Sequence, residues 1–170
     1  MDYWNSFLSK DNFILAWTRI NTATNISYKR FFRSAFLAYE VSLERNIECL
    51  IKRIKGGSYE PQKPDKIFIP KTSGLQRPIT LLTLEDQIVW QALTNLLEKK
   101  FETHRLEVEN NVVFSNLKSK DKKYFFEYWK KSYNAFNSKI KEIYKYKKWI
   151  VHFDLAAFYD TISHDHILKW

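Results

Sequence analysis

The residues best suited to chemistry lie late in the sequence, in Trp149-Ile150-Val151-His152-Phe153-Asp154-Leu155-Ala156-Ala157-Phe158-Tyr159-Asp160-Thr161-Ile162-Ser163-His164. One carboxylate, Asp154, interrupts the apolar run from Trp149 to Leu155. The run predicts a short buried strand, and an isolated buried charge is costly unless it is paired or holds a cation. A strand that carries one carboxylate to its C-terminal edge, beside the aromatics Phe158 and Tyr159, suits a metal-dependent phosphoryl-transfer site. Ser163 is placed to cap a following helix, with Asp165 in its first turn. His164-Asp165-His166 has the residue types of a metal site, but positions i and i+2 on a helix do not face each other. Asp160 falls past the strand end and reads as a cap of the next turn.

A second set of charges lies upstream. All three glycines and all four prolines fall between Gly56 and Pro78. Turns are therefore concentrated there, and the rest of the chain is free to be helical. Within this stretch Asp65-Lys66-Ile67-Phe68-Ile69-Pro70 and Arg77-Pro78-Ile79-Thr80-Leu81 flank a glycine-containing turn, which predicts a β-hairpin over 65–83. Pro70 and Pro78 predict edge positions. Lys71 and Arg77 bracket the turn; from spacing alone they read as ordinary hairpin charges.

Phe153-Asp154-Leu155-Ala156-Ala157-Phe158-Tyr159-Asp160-Thr161-Ile162-Ser163-His164 resembles the first catalytic palm motif of reverse transcriptases. The similarity is greatest to the bacterial group II intron-like branch, which includes retron and defence-associated enzymes. Tyr59-x-Pro61, Ile69-Pro70-Lys71, Gly74, Arg77-Pro78, Thr83-Leu84-x-Asp86 and Gln91-Ala92 resemble the fingers motifs of the same family, in the same order. The resemblance implies that Lys71 and Arg77 grip the triphosphate of an incoming nucleotide, as a mobile point charge and a bidentate fork. It implies that Asp154 bridges two Mg²⁺ ions and that Leu155 lends a backbone carbonyl. By the same resemblance, amides near Ala157 and Phe158 would face the triphosphate, Tyr159 would be the steric gate against a ribose 2′-hydroxyl, and Gln91 would lie near the template–primer. On the residues alone, the alternative for Tyr159 is core packing, a role that its neighbour Phe158 suits better, and Gln91 reads equally as an exposed helical glutamine. Asn111-Val112-Val113-Phe114-Ser115-Asn116 matches the family's pattern poorly. The family's later Tyr-x-Asp-Asp block has no counterpart, since the sequence contains no Asp-Asp.

Other elements must hold these residues in place. Phe13, Ile14, Trp17 and Ile20 predict a short amphipathic helix within an N-terminal segment, 1–25, lying on the body of the protein. Phe32, Phe36, Tyr39, Leu43, Ile47, Leu50 and Ile54 predict one long helix over 27–55, capped by Ser27 and stopped by Gly56-Gly57. Ile88, Val89, Ala92, Leu93, Leu96 and Leu97 predict a helix over 84–101, with Asp86 near its positive end. Val112-Val113-Phe114 suggests a short strand. Residues 121–148, rich in Lys, Tyr and Phe, suggest a long helix with a break near Asn134. Their interleaving fits a nucleic-acid track and equally a core stripe backed by a solvated lysine face.

The chain has 170 residues, 45% of them hydrophobic, enough for a globular domain with a core. Its net charge of +9 favours a polyanionic partner. The single cysteine, Cys49, excludes a disulfide framework and predicts a reducing, cytoplasmic setting. No run approaches membrane-spanning length. The expectation is a helix-rich α/β (α+β) protein with a fingers-like region over 26–148 and the start of a palm over 149–170, an incomplete polymerase right hand. Its function would be that of the N-terminal portion of an RNA-directed DNA polymerase, a nucleotidyltransferase acting on an RNA template, DNA primer and dNTP. Alone it would be inactive, because one carboxylate cannot hold both metals, and a C-terminal palm and thumb would complete it. The alternative is a non-catalytic, basic nucleic-acid-binding module derived from such an enzyme. Intron mobility, retron synthesis and antiviral defence share these motifs.

Overall fold

The fold, a computed structural model, describes residues 2–22, 32–109, 111–155 and 158–169, without the side chains of Thr103, Leu106, Tyr159 and Asp160. The expected Ser27 cap and the neighbouring Lys29 and Arg30 lie outside the described residues. The first helix, α1 (Tyr3–Phe7), starts at Asp2, whose carboxylate accepts from the Trp4 and Asn5 amides at 3.1 and 3.2 Å. Next, α2 (Lys10–Thr22) buries Phe13, Ala16 and Trp17. Their three- and four-residue steps put them on one face. This helix does not lie on the body as a peripheral segment. It packs against both α4 (Leu43–Lys55) and α5 (Leu84–Leu106) and is the centre of the core. The reason is that its apolar face is met from two sides, by Ile47 and Leu50 of α4 and by Ile88 and Ala92 of α5.

The long helix expected over 27–55 is two helices, α3 (Arg33–Glu40) and α4, separated at Val41-Ser42. No glycine or proline marks this break. Asn46 stabilises it by donating to the Tyr39 carbonyl at 2.9 Å, and the Trp17 ring packs against both Phe36 and Tyr39. The stop at Gly56-Gly57 is as expected. Gly57 has φ +70°, its amide donates to the Ile54 carbonyl, and the Ser58 amide donates to the Arg53 carbonyl. This is the paired bonding of a left-handed helix C-terminus, where glycine avoids the steric cost of a Cβ.

The hairpin consists of β1 (Asp65–Pro70) and β2 (Gln76–Leu81), antiparallel, with Ile67 opposite Ile79 and Phe68 opposite Pro78. Alternation puts Ile67, Ile69, Ile79 and Leu81 on the more buried face and leaves Phe68 exposed. With two strands both are edges, which suits the prolines. Thr83 caps α5 through its hydroxyl, which accepts from the Asp86 amide. The helix runs past its expected end at 101 to Leu106.

Two late expectations differ from the structure. Residues 121–128 are irregular, and only Trp129–Tyr144 form a helix, α6, which passes Asn134 unbroken. Pairing of Lys118 with Phe126 holds the preceding segment in a non-helical turn. The apolar run 149–155 forms no strand among the described residues: Trp149, Val151 and Phe153 are more than four-fifths exposed. A strand exists through pairing with a neighbour, and this run has none in the two-stranded sheet. Val113 makes only an isolated bridge to Glu109. The chain continues through a 3-10 turn (Phe158–Thr161) into α7 (His164–Leu168), with Ser163 at the capping position but making no side-chain cap bond.

Candidate nucleotide and nucleic-acid site

The hairpin presents Lys71 and Arg77 at its tip. The Lys71 amide donates to the Leu75 carbonyl at 2.7 Å, and the Gly74 amide donates to the Lys71 carbonyl at 3.0 Å. Gly74 has φ +82°, which closes the turn in a conformation open to glycine. Arg77 lies opposite Ile69 in the ladder. Both side chains are exposed, and neither makes an ion pair among the described residues. They are therefore two solvated cations beside one hydrogen-bonded turn.

What fixes the hairpin to the body is a buried carboxylate. Asp86, in the first turn of α5, accepts from the Tyr59 hydroxyl, from the Gln62 amide at 3.1 Å and from the Thr83 hydroxyl at 2.6 Å. Tyr59 and Gln62 lead into β1, and Thr83 follows β2, so a single side chain ties both ends of the hairpin to one helix start. Its negative charge also sits where the helix dipole favours an anion. Burial pushes the Tyr59 phenol above its ordinary range, and the bond to Asp86 pushes it further. Nearby, Arg53 of α4 pairs with Glu85, an interaction that holds the guanidinium above its ordinary value. Thus Tyr59-x-Pro61 and Thr83-Leu84-x-Asp86, far apart in sequence, form one anchor.

Asp154 is exposed and stands beside Phe153, Leu155 and Phe158 in an open depression. In water its charge carries no desolvation penalty, so the cost that would call for a cation in a buried strand is absent here. Lys71 and Arg77 are not among the residues lining this depression. Ala157 and the Tyr159 side chain lie outside the described residues, as does the Asp160 carboxylate. Mg²⁺ takes hard oxygen ligands in an octahedron. Asp154 and the Leu155 carbonyl offer one carboxylate and one adjacent oxygen, and these alone do not hold two ions. No group of three or more candidate metal ligands occurs among the described residues, His164, Asp165 and His166 included.

Gln91 is half-buried, and its Nε2 donates to Asn95 Oδ1 at 2.9 Å. It belongs to a polar network inside the helical body that sequence reasoning missed. Arg19 of α2 is buried and donates through Nη1 to Asn95 Oδ1 at 2.7 Å and to Glu98 Oε2 at 2.9 Å. Its Nε donates to the Lys122 carbonyl at 3.2 Å, and its guanidinium lies 4.9 Å from the Phe125 ring centroid. Lys118 adds a bond to Glu102 at 2.8 Å, which raises its pKa above the ordinary lysine value. The network fastens the irregular segment before α6 to α2 and α5. Its only sequence signal was the spacing of Gln91, Asn95 and Glu98 along one side of α5. Compared with protein-family models and with curated proteins, the chain has no significant match.

Proposed function

We propose that this chain supplies the fingers and the first palm motif of an RNA-directed DNA polymerase. The observation that carries the proposal is the hairpin: it forms where the motif order requires it, and it displays Lys71 and Arg77 as unpaired cations at one tip. The Asp86 anchor supports the same reading, because it holds that tip on a rigid helix start, and positioning is most of what nucleotidyl transfer asks of a protein. In this reading Lys71 and Arg77 take the triphosphate, Tyr159 gates the sugar, and Gln91 supports the helix beside the template–primer. Asp154 and the Leu155 carbonyl contribute part of a magnesium shell that further carboxylates complete. Template and primer are RNA and DNA.

The test is formation of a ternary complex. A labelled RNA template annealed to a DNA primer is titrated with the chain in Mg²⁺, with either the complementary or a mismatched deoxynucleoside triphosphate. The expected result is tighter binding with the complementary nucleotide, lost in Lys71→Ala/Arg77→Ala, and no primer extension by the chain alone. Binding that ignores complementarity would reject the polymerase reading and leave a basic nucleic-acid-binding module. Robust extension by the chain alone would refute the assignment of Asp154 as an insufficient carboxylate.

A further inference from the structure

The positive charge of this chain is concentrated in one segment. Residues 118–148 hold 11 lysines against Asp121, Glu127 and Glu142, a net +8 of the whole chain's +9. Lys118, Lys131 and Lys139 are tied to carboxylates. Lys130, Lys141 and Lys145 make no ion pair among the described residues. At 3.6 residues per turn these three fall on one side of α6.

The rings of the same helix are uncovered. Tyr128, Trp129 and Tyr133 are 57%, 64% and 56% exposed. Their centroids follow one another at 6.2 and 6.5 Å, with the planes inclined by 55° and 57°. Ser132 is the buried residue of α6. A core stripe with a solvated lysine face would have put these rings inside. Lys130 sits over the Trp129 ring, 5.8 Å from its centroid, and Lys123 sits over Tyr124 at 5.9 Å. At the start of α6 a cation and a ring therefore share an edge, and Lys141 and Lys145 continue the cationic side along the helix. A helix that lies in a bilayer surface separates its cations onto the face away from its rings. A strand of unpaired nucleotides needs the shared edge, since each base brings its phosphate with it.

We propose that Tyr128, Trp129 and Tyr133 form a stacking ledge for an unpaired nucleic-acid strand, whose phosphates run along Lys130, Lys141 and Lys145. The ledge requires neither the nucleotide clamp nor a metal and stands independently of the polymerase reading.

The test measures anisotropy of a fluorescein-labelled single-stranded oligonucleotide, as RNA and as DNA, with the full chain in EDTA and without nucleotide. Trp129→Ala and Tyr133→Ala are each expected to weaken binding about tenfold, the effect of losing one base–ring stack. Lys130→Gln/Lys141→Gln is expected to reduce the slope of log affinity against log salt by about 1.4, for two single-strand phosphate contacts. Because the rings are exposed, thermal midpoints should be unchanged, so a loss of affinity is not a loss of fold. Equal affinity for a duplex of the same length, unchanged affinity in both ring variants, or displacement of the oligonucleotide by phosphatidylserine vesicles would each overturn the ledge. Binding in EDTA keeps this result separate from the ternary-complex test, whose readout is nucleotide complementarity.

Discussion

Replacing Arg19 with Met tests whether the buried network holds the two halves of the chain together. The side chains of Arg19 and Glu98 are each 6% exposed, and their bond is 2.9 Å long. Without the guanidinium, the Glu98 carboxylate stays buried with one distant counter-charge, Lys118 Nζ at 3.6 Å, too long for a hydrogen bond. Breaking a buried pair from one side costs about 3–5 kcal/mol, and the nearby lysine places this case near the lower end, about 3 kcal/mol. For a chain of this size each kcal/mol moves Tm by about 2–4 °C, so the expected fall is about 6–12 °C. Arg19→Met/Glu98→Leu removes both charges and should recover most of the loss. Thermal unfolding of the three proteins measures this. Hydrogen exchange supplies a local readout: because Arg19 also holds the Lys122 carbonyl and the Phe125 ring, amides around 118–126 should exchange faster in the single variant. A loss below about 1 kcal/mol, or a double variant no more stable than the single one, refutes the idea that this pair is buried and mutually dependent.

Asp86→Ala removes the acceptor of three bonds and should cost about 2–3 kcal/mol in urea unfolding, with increased proteolysis of the 56–64 linker as the hairpin loses its anchor. Alkaline stability should be limited by phenols: burial raises both Tyr39 and Tyr59 above the ordinary value of 10.0. A raised folded pKa favours the neutral form in the fold, so this stabilisation is complete below about pH 10 and is lost as pH rises beyond it. Absorbance titration should show two phenols ionising together with unfolding, and Tyr59→Phe should remove one of them. Gly74→Ala should loosen the hairpin by about 1 kcal/mol, read as faster exchange of the β1 and β2 amides. The cause is the backbone alone, since no atom lies within 4 Å of the added Cβ.

Local chemistry was legible in the sequence where a residue type leaves few options. Gly56-Gly57 ended a helix, and Gly74 and the prolines marked a hairpin, each through backbone constraints that need no distant partner. Burial was less legible. Leu93 and Leu97 belong to the apolar pattern of α5 yet are exposed, while Asn95 and Glu98 are buried. The face that Ile88 and Ala92 turn inward continues through Asn95 and Glu98, where Arg19 of α2 is the partner, and the apolar pattern within α5 does not name that partner. The break at Val41-Ser42 was hidden because an asparagine inside the predicted helix, Asn46, turns its side chain back to the Tyr39 carbonyl, and because the Trp17 ring that packs there comes from another helix. Of the candidate site, the cationic hairpin tip followed from the sequence. The Asp86 anchor followed only in pieces, because its three donors come from both sides of the hairpin.

Whether the carboxylate in the run from Trp149 to Leu155 would need a cation depends on its neighbours. The same residues have two electrostatic regimes. With strands paired on both edges, Asp154 would leave water, and its charge would need a cation or a donor to offset the desolvation. Exposed, as it stands here, the carboxylate is satisfied by solvent and has no such need. A change to the paired regime would be driven by the other residues of the run, since Ile150, Val151, Phe153 and Leu155 expose apolar surface that pairing and packing would remove from water. Apolar burial would thus supply the free energy with which the acid is brought into a setting that demands a metal. In the proposed reading, the cationic tip of the hairpin and the acid of the unpaired run would therefore be assembled by different forces, and substitutions should separate them: Asp86→Ala acts on the first, whereas Val151→Ser acts on the second.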